Sequence, residues 1–285
     1  MKRAFSLIEL SIVVLIIGII VAGVAQSSSL VRKMKLNTAR SLTKSSPVAG
    51  IKNLAFWIET TSSESFDNSI DDGSLVAQWN DINPQAQIRN NITQNTTSIQ
   101  PTYKSRGVNG LPAVSFSGGY LVGSGIPVSD NKFTFFVVYQ SSSSGAWQCL
   151  FRNSKVVGSG LVNGFSFWRD LSGRRDVTFN DGQDRGGSAM TSSPEFVAVT
   201  YDGAGNINLY TNGSSSDEIS GGNVMTATDS GTTLSVGAMG YAPTKILPFT
   251  GAISEIAVFD RVLTTEEIDS IEKYLGQKWG ISLRP

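Results

Sequence analysis

The chain has 285 residues, enough for one or two domains, and its 23 basic and 23 acidic side chains leave no net charge. It contains no histidine, which excludes a Ser-His-Asp triad and histidine-ligated metal sites. The single cysteine, Cys149, excludes an internal disulfide, and its strand-like surroundings favour a small core residue over a reactive thiol.

The charges are unevenly distributed along the chain. Residues 1–47 carry seven basic side chains against Glu9 alone, whereas residues 48–285 carry 16 basic and 22 acidic side chains. A basic N-terminal segment beside an acidic remainder favours electrostatic packing between them, and we expect no nucleic-acid partner.

The first predicted element is a helix that begins with an apolar stretch. Residues 5–25 contain one ionisable side chain, Glu9, and about 20 apolar residues suffice to cross ~30 Å of hydrocarbon. No secretory cleavage site follows, because residues 26–29 lead into further helical pattern. The stretch therefore predicts a membrane-spanning helix that is not a removable signal peptide.

The same residues resemble the N-terminal signature of type IV pilins and pseudopilins. Residues 1–9 read Met-Lys-Arg-Ala-Phe-Ser-Leu-Ile-Glu, so that Glu9 would be the fifth residue after a cut between Ala4 and Phe5. The resemblance implies cleavage there by a prepilin peptidase, although Ala4 stands where the family usually has glycine. It also implies that the new Phe5 amine is often methylated.

The resemblance further implies roles in assembly for Phe5, Glu9 and Gly18. A carboxylate within a membrane span costs several kcal/mol, so a partner is expected for Glu9, and in pilins this partner is the Phe5 amine of a neighbouring subunit. Gly18 matches a glycine common in the family, where it permits close helix contact or local melting, and an ordinary packing residue is the alternative. The alternative to the whole interpretation is a plain signal anchor with an incidental Glu9.

We expect the helix to continue as a stalk to about residue 46. Apolar residues recur at helical spacing after the span, and Ser45-Ser46-Pro47 is a typical stop. About 42 helical residues would extend ~63 Å. The basic residues Lys2 and Arg3 orient the leader toward the cytoplasm, although the basic cluster after the span argues the other way by charge count. With the leader's orientation, the pilin resemblance implies a bacterial inner-membrane protein that later reaches an extracellular pilus or a periplasmic pseudopilus.

Residues 48–285 predict a second, β-rich unit. Short apolar runs alternate with turn signals such as Asn212-Gly213, which is typical of an antiparallel sandwich of the jelly-roll kind. The predicted strands are 54–59, 113–117, 133–140, 148–152, 165–169, 176–179, 196–201, 207–211, 233–236 and 253–260. A capping box formed by Thr264 and Glu267 then predicts a C-terminal helix that ends near Gly276 and packs on the sandwich.

Five stretches of this unit are similar to the concanavalin A-like, laminin-G-like superfamily. They are residues 54–59, 76–81, 110–118, 201–213 and 249–261, in that order. The resemblance implies a lectin-like β-sandwich, and most of the matching residues are expected to be structural. Binding of surface glycans follows from the resemblance as a hypothesis.

No catalytic site is predicted. Glycoside hydrolases of this fold place two carboxylates on one face of a strand, but Glu255 and Asp260 are five residues apart and lie on opposite faces. We therefore expect no enzyme.

Two binding features in the β-rich unit have alternatives. Asp170, Asp176, Asp181 and Asp184 crowd one region and could hold calcium through loop oxygens, or could be solvated acids paired with Arg169, Arg174, Arg175 and Arg185. Trp147 and Trp168 could stack on sugars or belong to the core. No other cofactor is expected.

The sequence thus predicts an α+β protein: a leader at 1–4, a membrane-spanning and stalk helix at 5–46, and a β-sandwich head with a short C-terminal helix at 48–285. The principal hypothesis is a structural subunit of a type IV pilus or pseudopilus. Its partners would be other pilin subunits, the prepilin peptidase and the inner membrane. The alternative is a glycan-binding adhesin or a membrane-anchored lectin-like protein, and the sequence leaves major pilin, minor pilin and pseudopilin open.

Overall fold

Three α-helices and sixteen strands make up the part of the chain that the structure, a computed structural model, describes. Described are residues 7–67, 70–128, 131–142, 145–157, 160–179, 183–219, 224–225, 231–239 and 247–284. Within these ranges the description leaves out the side chains of residues 9, 22–26, 28, 156–157, 160–163, 183–186 and 215–219.

The helix α1 runs without interruption from Leu7 to Lys44. It ends just before Pro47, as predicted, because a residue preceding proline is disfavoured in the helical conformation. A short helix, α2 (Pro47–Gly50), follows, and the Ser46 side chain caps it by accepting a hydrogen bond from the Val48 N–H at 3.1 Å.

Within the described residues, no helix combines the length and the apolar content that a membrane crossing requires. The membrane span predicted for residues 5–25 is therefore not confirmed.

The β-strands form two antiparallel eight-stranded sheets. The strands are β1 (Leu54–Glu59), β2 (Gln78–Trp79), β3 (Ile92–Thr93), β4 (Thr102–Lys104), β5 (Ala113–Ser117), β6 (Leu121–Ser124), β7 (Phe133–Ser141), β8 (Gln148–Val157), β9 (Gly160–Arg169), β10 (Arg174–Phe179), β11 (Gln183–Ala189), β12 (Glu195–Tyr201), β13 (Ile207–Thr211), β14 (Ser214–Ile219), β15 (Thr233–Val236) and β16 (Thr250–Phe259). The first sheet has the order β14-β13-β12-β7-β16-β5-β4, with β1 paired to β16, and the second has the order β11-β10-β9-β8-β15-β6-β3-β2. The predicted antiparallel β-sandwich is thus confirmed.

The main core fills the space between the two sheets and is rich in aromatic rings. Phe133 stacks on Phe165 with ring centroids 4.0 Å apart, and Phe135 meets Phe151 edge to face at 4.9 Å. These rings come from β7 in one sheet and from β8 and β9 in the other. Rings of this size supply much of the apolar area that holds two sheets together.

A second core lies on the outer face of the first sheet. The helix α3 (Thr265–Trp279) and the C-terminal part of α1 cover this face, where Ala39 of α1 and Phe136 of β7 belong to one buried cluster. Consequently β7 is buried on both faces, with Phe135 facing the main core and Phe136 facing the helices. The continuous apolar sequence of β7 follows from this position.

The predicted boundaries agree best where local signals are strong. The strands at 54–59, 113–117, 207–211 and 233–236 have the predicted bounds, whereas β2, β3, β4, β6, β11 and β14 were not predicted because they are short or polar. The capping box is confirmed: Thr264 Oγ1 accepts from the Glu267 N–H at 3.3 Å, and Glu267 Oε2 accepts from the Thr264 N–H at 2.9 Å. The helix α3 ends at Trp279, near Gly276 as predicted, and Gly280 terminates it in the left-handed conformation (φ 62°).

The Asn212-Gly213 turn joins β13 and β14 in a hairpin, as predicted. Both residues have positive φ, 52° and 87°. This conformation is typical of the two-residue turns that match the twist of paired strands.

Candidate functional site

The residues predicted for processing and assembly lie at the N-terminus of α1. Ala4 and Phe5 are outside the described residues, and Glu9 is within α1 but its side chain is not described. Gly18 is helical, and a Cβ placed on it would meet no atom within 4 Å. Cleavage at Ala4–Phe5 and pairing of Glu9 therefore stay predictions.

The first half of α1 presents uncovered apolar side chains. Leu7 is 85% exposed, and Leu10, Leu15 and Ile19 are each exposed by more than half. Described contact with the head lies further along the helix, where Lys35 Nζ donates to the Asn109 carbonyl, Ala39 is buried and Arg40 Nε donates to the Thr61 carbonyl at 2.8 Å. An exposed apolar surface of this kind is typical of an interaction site.

The predicted acidic cluster is only partly described. Asp170 Oδ1 accepts from the Arg174 N–H at 2.7 Å in the turn between β9 and β10. Asp176 is buried in β10 and accepts from Thr178 Oγ1 at 3.0 Å. Asp181 lies outside the described residues, and the side chain of Asp184 is not described. The described residues contain no group of three or more candidate ligands for a metal ion, and calcium binding stays a prediction.

Arg175, one of the arginines of this region, contacts partners other than those acids. Arg175 is buried in β10 and forms an ion pair with Glu195 of β12 at 2.6 Å, so it joins the two sheets. Its Nε also donates to Tyr139 OH at 3.0 Å. The described ion-pair partner of Arg175 is therefore Glu195 and not Asp170 or Asp176, whereas pairing with Asp181 or Asp184 lies outside the described side chains.

A second group of charged residues is completely enclosed. Glu59 and Glu255 are directly opposite each other in the β1–β16 pair, and Lys278 of α3 contacts both, at 2.8 and 2.9 Å. Trp57 Nε1 and Tyr274 OH donate to Glu255 Oε1, each at 2.9 Å. This arrangement secures α3 to the sheet, and its burial keeps ligands away. Sequence reasoning considered only Glu255, because nothing local indicates that Glu59 and Lys278 are its neighbours.

A groove on the surface combines an aromatic ring with polar groups. We call it the Phe66 groove. It consists of two adjoining cavities of about 460 and 290 Å³, and Phe66, Asp67 and Ile70 line both. The first cavity is also lined by Leu36, Arg40, Thr60, Ser62, Ser63 and Tyr103, and the second by Ser74, Leu75, Val76, Ala77 and Gln78.

The carboxylate of the Phe66 groove is held in place by two amides. Gln78 Nε2 donates to Asp67 Oδ2 at 3.0 Å, and Asn80 Nδ2 donates to Asp67 Oδ1 at 2.7 Å. Asn80 is itself almost buried and donates its N–H to the Ser65 carbonyl at 2.9 Å. Asp67 remains exposed, so its oriented oxygens are available to a ligand.

The ring of the groove is also fixed. Phe66 is half-buried, meets Tyr103 edge to face at 5.5 Å and stacks over Trp79 at 6.3 Å. Leu75, nearby in the second cavity, is 46% exposed. A ring held by two others can present an apolar surface without losing rotamer freedom on binding.

The other candidate aromatic residues differ in accessibility. Trp168 is buried and donates from Nε1 to Ser166 Oγ at 2.6 Å, which agrees with the core alternative. Trp147 is half-buried and meets Trp168 edge to face at 6.4 Å. Cys149 is buried beside them, and burial raises the pKa of its thiol, so it is the small core residue that was expected.

Comparison with known proteins identifies the fold family. Residues 117–269, more than half of the chain, match the family Laminin_G_3, described as the concanavalin A-like lectin/glucanases superfamily. No curated protein matches the chain. The match gives no support to the pilin resemblance, which concerns residues 1–46, and the Phe66 groove precedes residue 117.

Solved structures are similar to this chain at low sequence identity. Trypanosoma rangeli sialidase in complex with the inhibitor DANA is 12% identical with a TM-score of 0.50, covering 82% of this chain and 37% of the sialidase chain. The same enzyme in complex with 2,3-difluorosialic acid is 11% identical with a TM-score of 0.51, covering 83% and 34%. Ruminococcus gnavus IT-sialidase CBM40 bound to alpha2,3 sialyllactose is 18% identical with a TM-score of 0.43, covering 50% and 82%.

The chain thus spans little more than a third of the length of the sialidases that it matches. The confirmed sandwich and the family match lead to one assignment. The chain belongs to the Laminin_G_3 family of the concanavalin A-like lectin/glucanases superfamily.

Proposed function

We propose that this protein is a carbohydrate-binding protein whose head holds a glycan in the Phe66 groove. The observation that carries the proposal is the exposed Asp67 carboxylate, oriented by Gln78 and Asn80 beside the fixed ring of Phe66. Membership in a superfamily described by its lectins supports a sugar as the ligand.

The chemistry of the groove suits a sugar. A pyranose has hydroxyl groups that both donate and accept hydrogen bonds, and a C–H face that packs on an aromatic ring. Asp67 accepts, Tyr103 OH can donate, and Phe66 supplies the ring. Arg40 has its Nε engaged by Thr61, and its remaining N–H groups can donate to ligand oxygens in the same cavity.

A glycan array followed by calorimetry with the best ligand tests this proposal. We expect Phe66→Ala and Asp67→Asn each to weaken binding by about fivefold or more, because each removes about 1–3 kcal/mol of contact. Asp71→Asn is the matched control, since Asp71 is an exposed acid of the same segment that does not line the groove, and it should bind as the unchanged protein does.

Two results would contradict glycan binding in the Phe66 groove. A protein that binds no glycan on the array, with or without calcium, is not a lectin. Binding that both groove variants retain would place the glycan elsewhere on the head.

A second candidate function is a filament subunit, and the exposed apolar side chains of α1 favour it. We propose that copies of this chain cover these side chains by packing their helices together, after a prepilin peptidase cuts between Ala4 and Phe5. Glu9 would then pair with the Phe5 amine of a neighbouring copy. The predicted route from the inner membrane to a pilus or pseudopilus belongs to this proposal, which is compatible with a glycan-binding head.

Intact mass and N-terminal sequencing of protein recovered from sheared surface filaments test the second candidate. A chain that begins at Phe5, with or without an added methyl group, supports it. A chain that begins at Met1 and is absent from filaments would refute it and leave an anchored lectin-like protein.

A further inference from the structure

One end of the first sheet is not covered by helices and forms a shallow cleft. A row of paired residues crosses four strands there: Thr102 of β4, Ser115 of β5, Ala252 of β16 and Gln140 of β7. Neighbouring strands are ~4.8 Å apart, so the floor is about 14 Å wide. These side chains are only partly buried, whereas the helix-covered part of the same face carries residues such as Phe136.

The cleft has a volume of about 520 Å³ and a basic character. Its described lining includes Lys104 and Arg106 and contains no acidic side chain. Both cations are exposed, and neither forms an ion pair with a carboxylate in the described part of the chain. We call this surface the basic cleft.

Asp72 is an acid near the two cations that forms no described ion pair with either of them. Asp72 accepts hydrogen bonds from the N–H and the hydroxyl of Ser105, at 2.7 and 3.0 Å. These bonds, with smaller contributions from Lys104 and Arg106, lower the pKa of Asp72. Its Oδ1 atom is thus engaged by Ser105, and Asp72 does not line the cleft.

Uncharged polar groups complete the basic cleft. Gln140 Nε2 donates to the Ser192 carbonyl at 2.9 Å, which fixes the amide and leaves its oxygen to accept. The hydroxyl of Ser141, at the end of the cleft, is buried and forms no hydrogen bond with the described residues. A Cβ on Gly251 would lie 2.4 Å from the Gln140 carbonyl oxygen and 2.5 Å from the Phe249 ring of the main core, so close packing at this end of the sheet requires glycine there.

We propose that the basic cleft binds an acidic oligosaccharide, with Lys104 and Arg106 at a carboxylate or sulfate group and the hydroxyl and amide groups at the sugar. Two exposed cations in a lining without acidic side chains favour an anion. Single-stranded nucleic acid is disfavoured, because such sites use accessible aromatic rings and the only ring of the lining, Phe116, is 1% exposed. This site is separate from the Phe66 groove.

Calorimetry with three tetrasaccharides of matched length tests the proposal: one uronate-containing, one sulfated and one neutral. We expect either acidic probe to bind more tightly than the neutral one, and the tighter of the two identifies the anionic group. Replacing both cations, Lys104→Gln with Arg106→Gln, should weaken binding of the acidic probe by about tenfold or more.

The control variant removes two charges elsewhere. Lys132→Gln with Lys273→Gln changes two exposed lysines outside the cleft and should alter the affinity by less than about twofold, since distant surface charges are screened by ~0.15 M salt. Both double variants should keep the circular dichroism of the unchanged protein, because all four residues are exposed.

Three results would overturn the proposal: no binding of either acidic probe, equal binding of the neutral probe, or equal losses in the two double variants. Phe66→Ala should leave the affinity for the acidic probe unchanged. The proposals for the basic cleft and for the Phe66 groove can therefore be refuted independently of each other.

Discussion

Lys278 Nζ lies 2.8 Å from Glu59 Oε2, and both side chains are completely buried. The lysine comes from α3 and the glutamate from β1, so this ion pair joins the last helix of the head to its first strand. Glu255 of β16 completes the group at 2.9 Å. Burial disfavours the charged forms of all three groups, and they are tolerated because each is paired and hydrogen-bonded.

Removing the shared cation should destabilise the head strongly. Lys278→Met would leave Glu59 and Glu255 buried side by side without a counter-charge, and we expect a loss of ~3–5 kcal/mol in the free energy of unfolding. Urea unfolding followed by tryptophan fluorescence measures it. Lys273→Met, at an exposed lysine of the same helix, should change stability by less than ~0.5 kcal/mol, and equal effects would contradict the assigned role.

A buried carboxyl group on α3 should make stability depend on pH. Burial, and secondarily Asp269, raise the pKa of Glu272 from 4.5 to about 7, and its Oε1 atom has no hydrogen-bond partner among the described residues. Because the folded-state pKa is the higher one, this group's contribution to stability is complete below pH 4.5 and is lost as the pH rises through about 7.

The Glu272→Gln variant should therefore become more stable relative to the unchanged protein as the pH rises. We expect the difference in unfolding free energy between the two proteins to grow by about 1–3 kcal/mol from pH 4 to pH 8, in favour of the variant. Urea unfolding at several pH values measures this difference. If it is constant, or if Asp71→Asn at an exposed acid gives the same trend, Glu272 does not titrate as described.

Two glycines with similar φ angles allow the cost of backbone strain to be distinguished from the cost of crowding. Gly237 has φ 90°, and a Cβ there would lie 2.0 Å from Phe116 Cδ1, whereas Gly73 has φ 86° and open space. Gly73→Ala should cost ~1–2 kcal/mol from the left-handed backbone alone. Gly237→Ala adds overpacking of the main core and should cost ~1–3 kcal/mol more, measured by thermal unfolding. Equal costs would show that Phe116 moves aside freely.

The single thiol should not react with thiol reagents in the folded protein. Cys149 is fully buried, and burial raises the pKa of its thiol, so little thiolate is present and reagents cannot reach it. A thiol reagent such as 5,5′-dithiobis(2-nitrobenzoic acid) should label no cysteine at neutral pH and one after unfolding in urea. Rapid labelling without urea would refute the burial of Cys149.

The site residues show where sequence reasoning reached its limit. Asp67 belongs to no motif, and its partners Gln78 and Asn80 are 11 and 13 residues away across an irregular segment. The basic cleft depends on the register of four strands that come from positions 102, 115, 140 and 252. Neither site has a local pattern that could have predicted it.

The sequence by itself determined the elements whose causes are local. The apolar alternation of β13, the Asn212-Gly213 turn and the capping box of Thr264 and Glu267 each depend on residues within a few positions of one another. The tertiary structure alone decided that Glu59 meets Lys278, 219 residues later, and that β7 is covered on both faces. Such contacts depend on strand order and register, which arise when distant segments bury a common core and which no short stretch of sequence specifies.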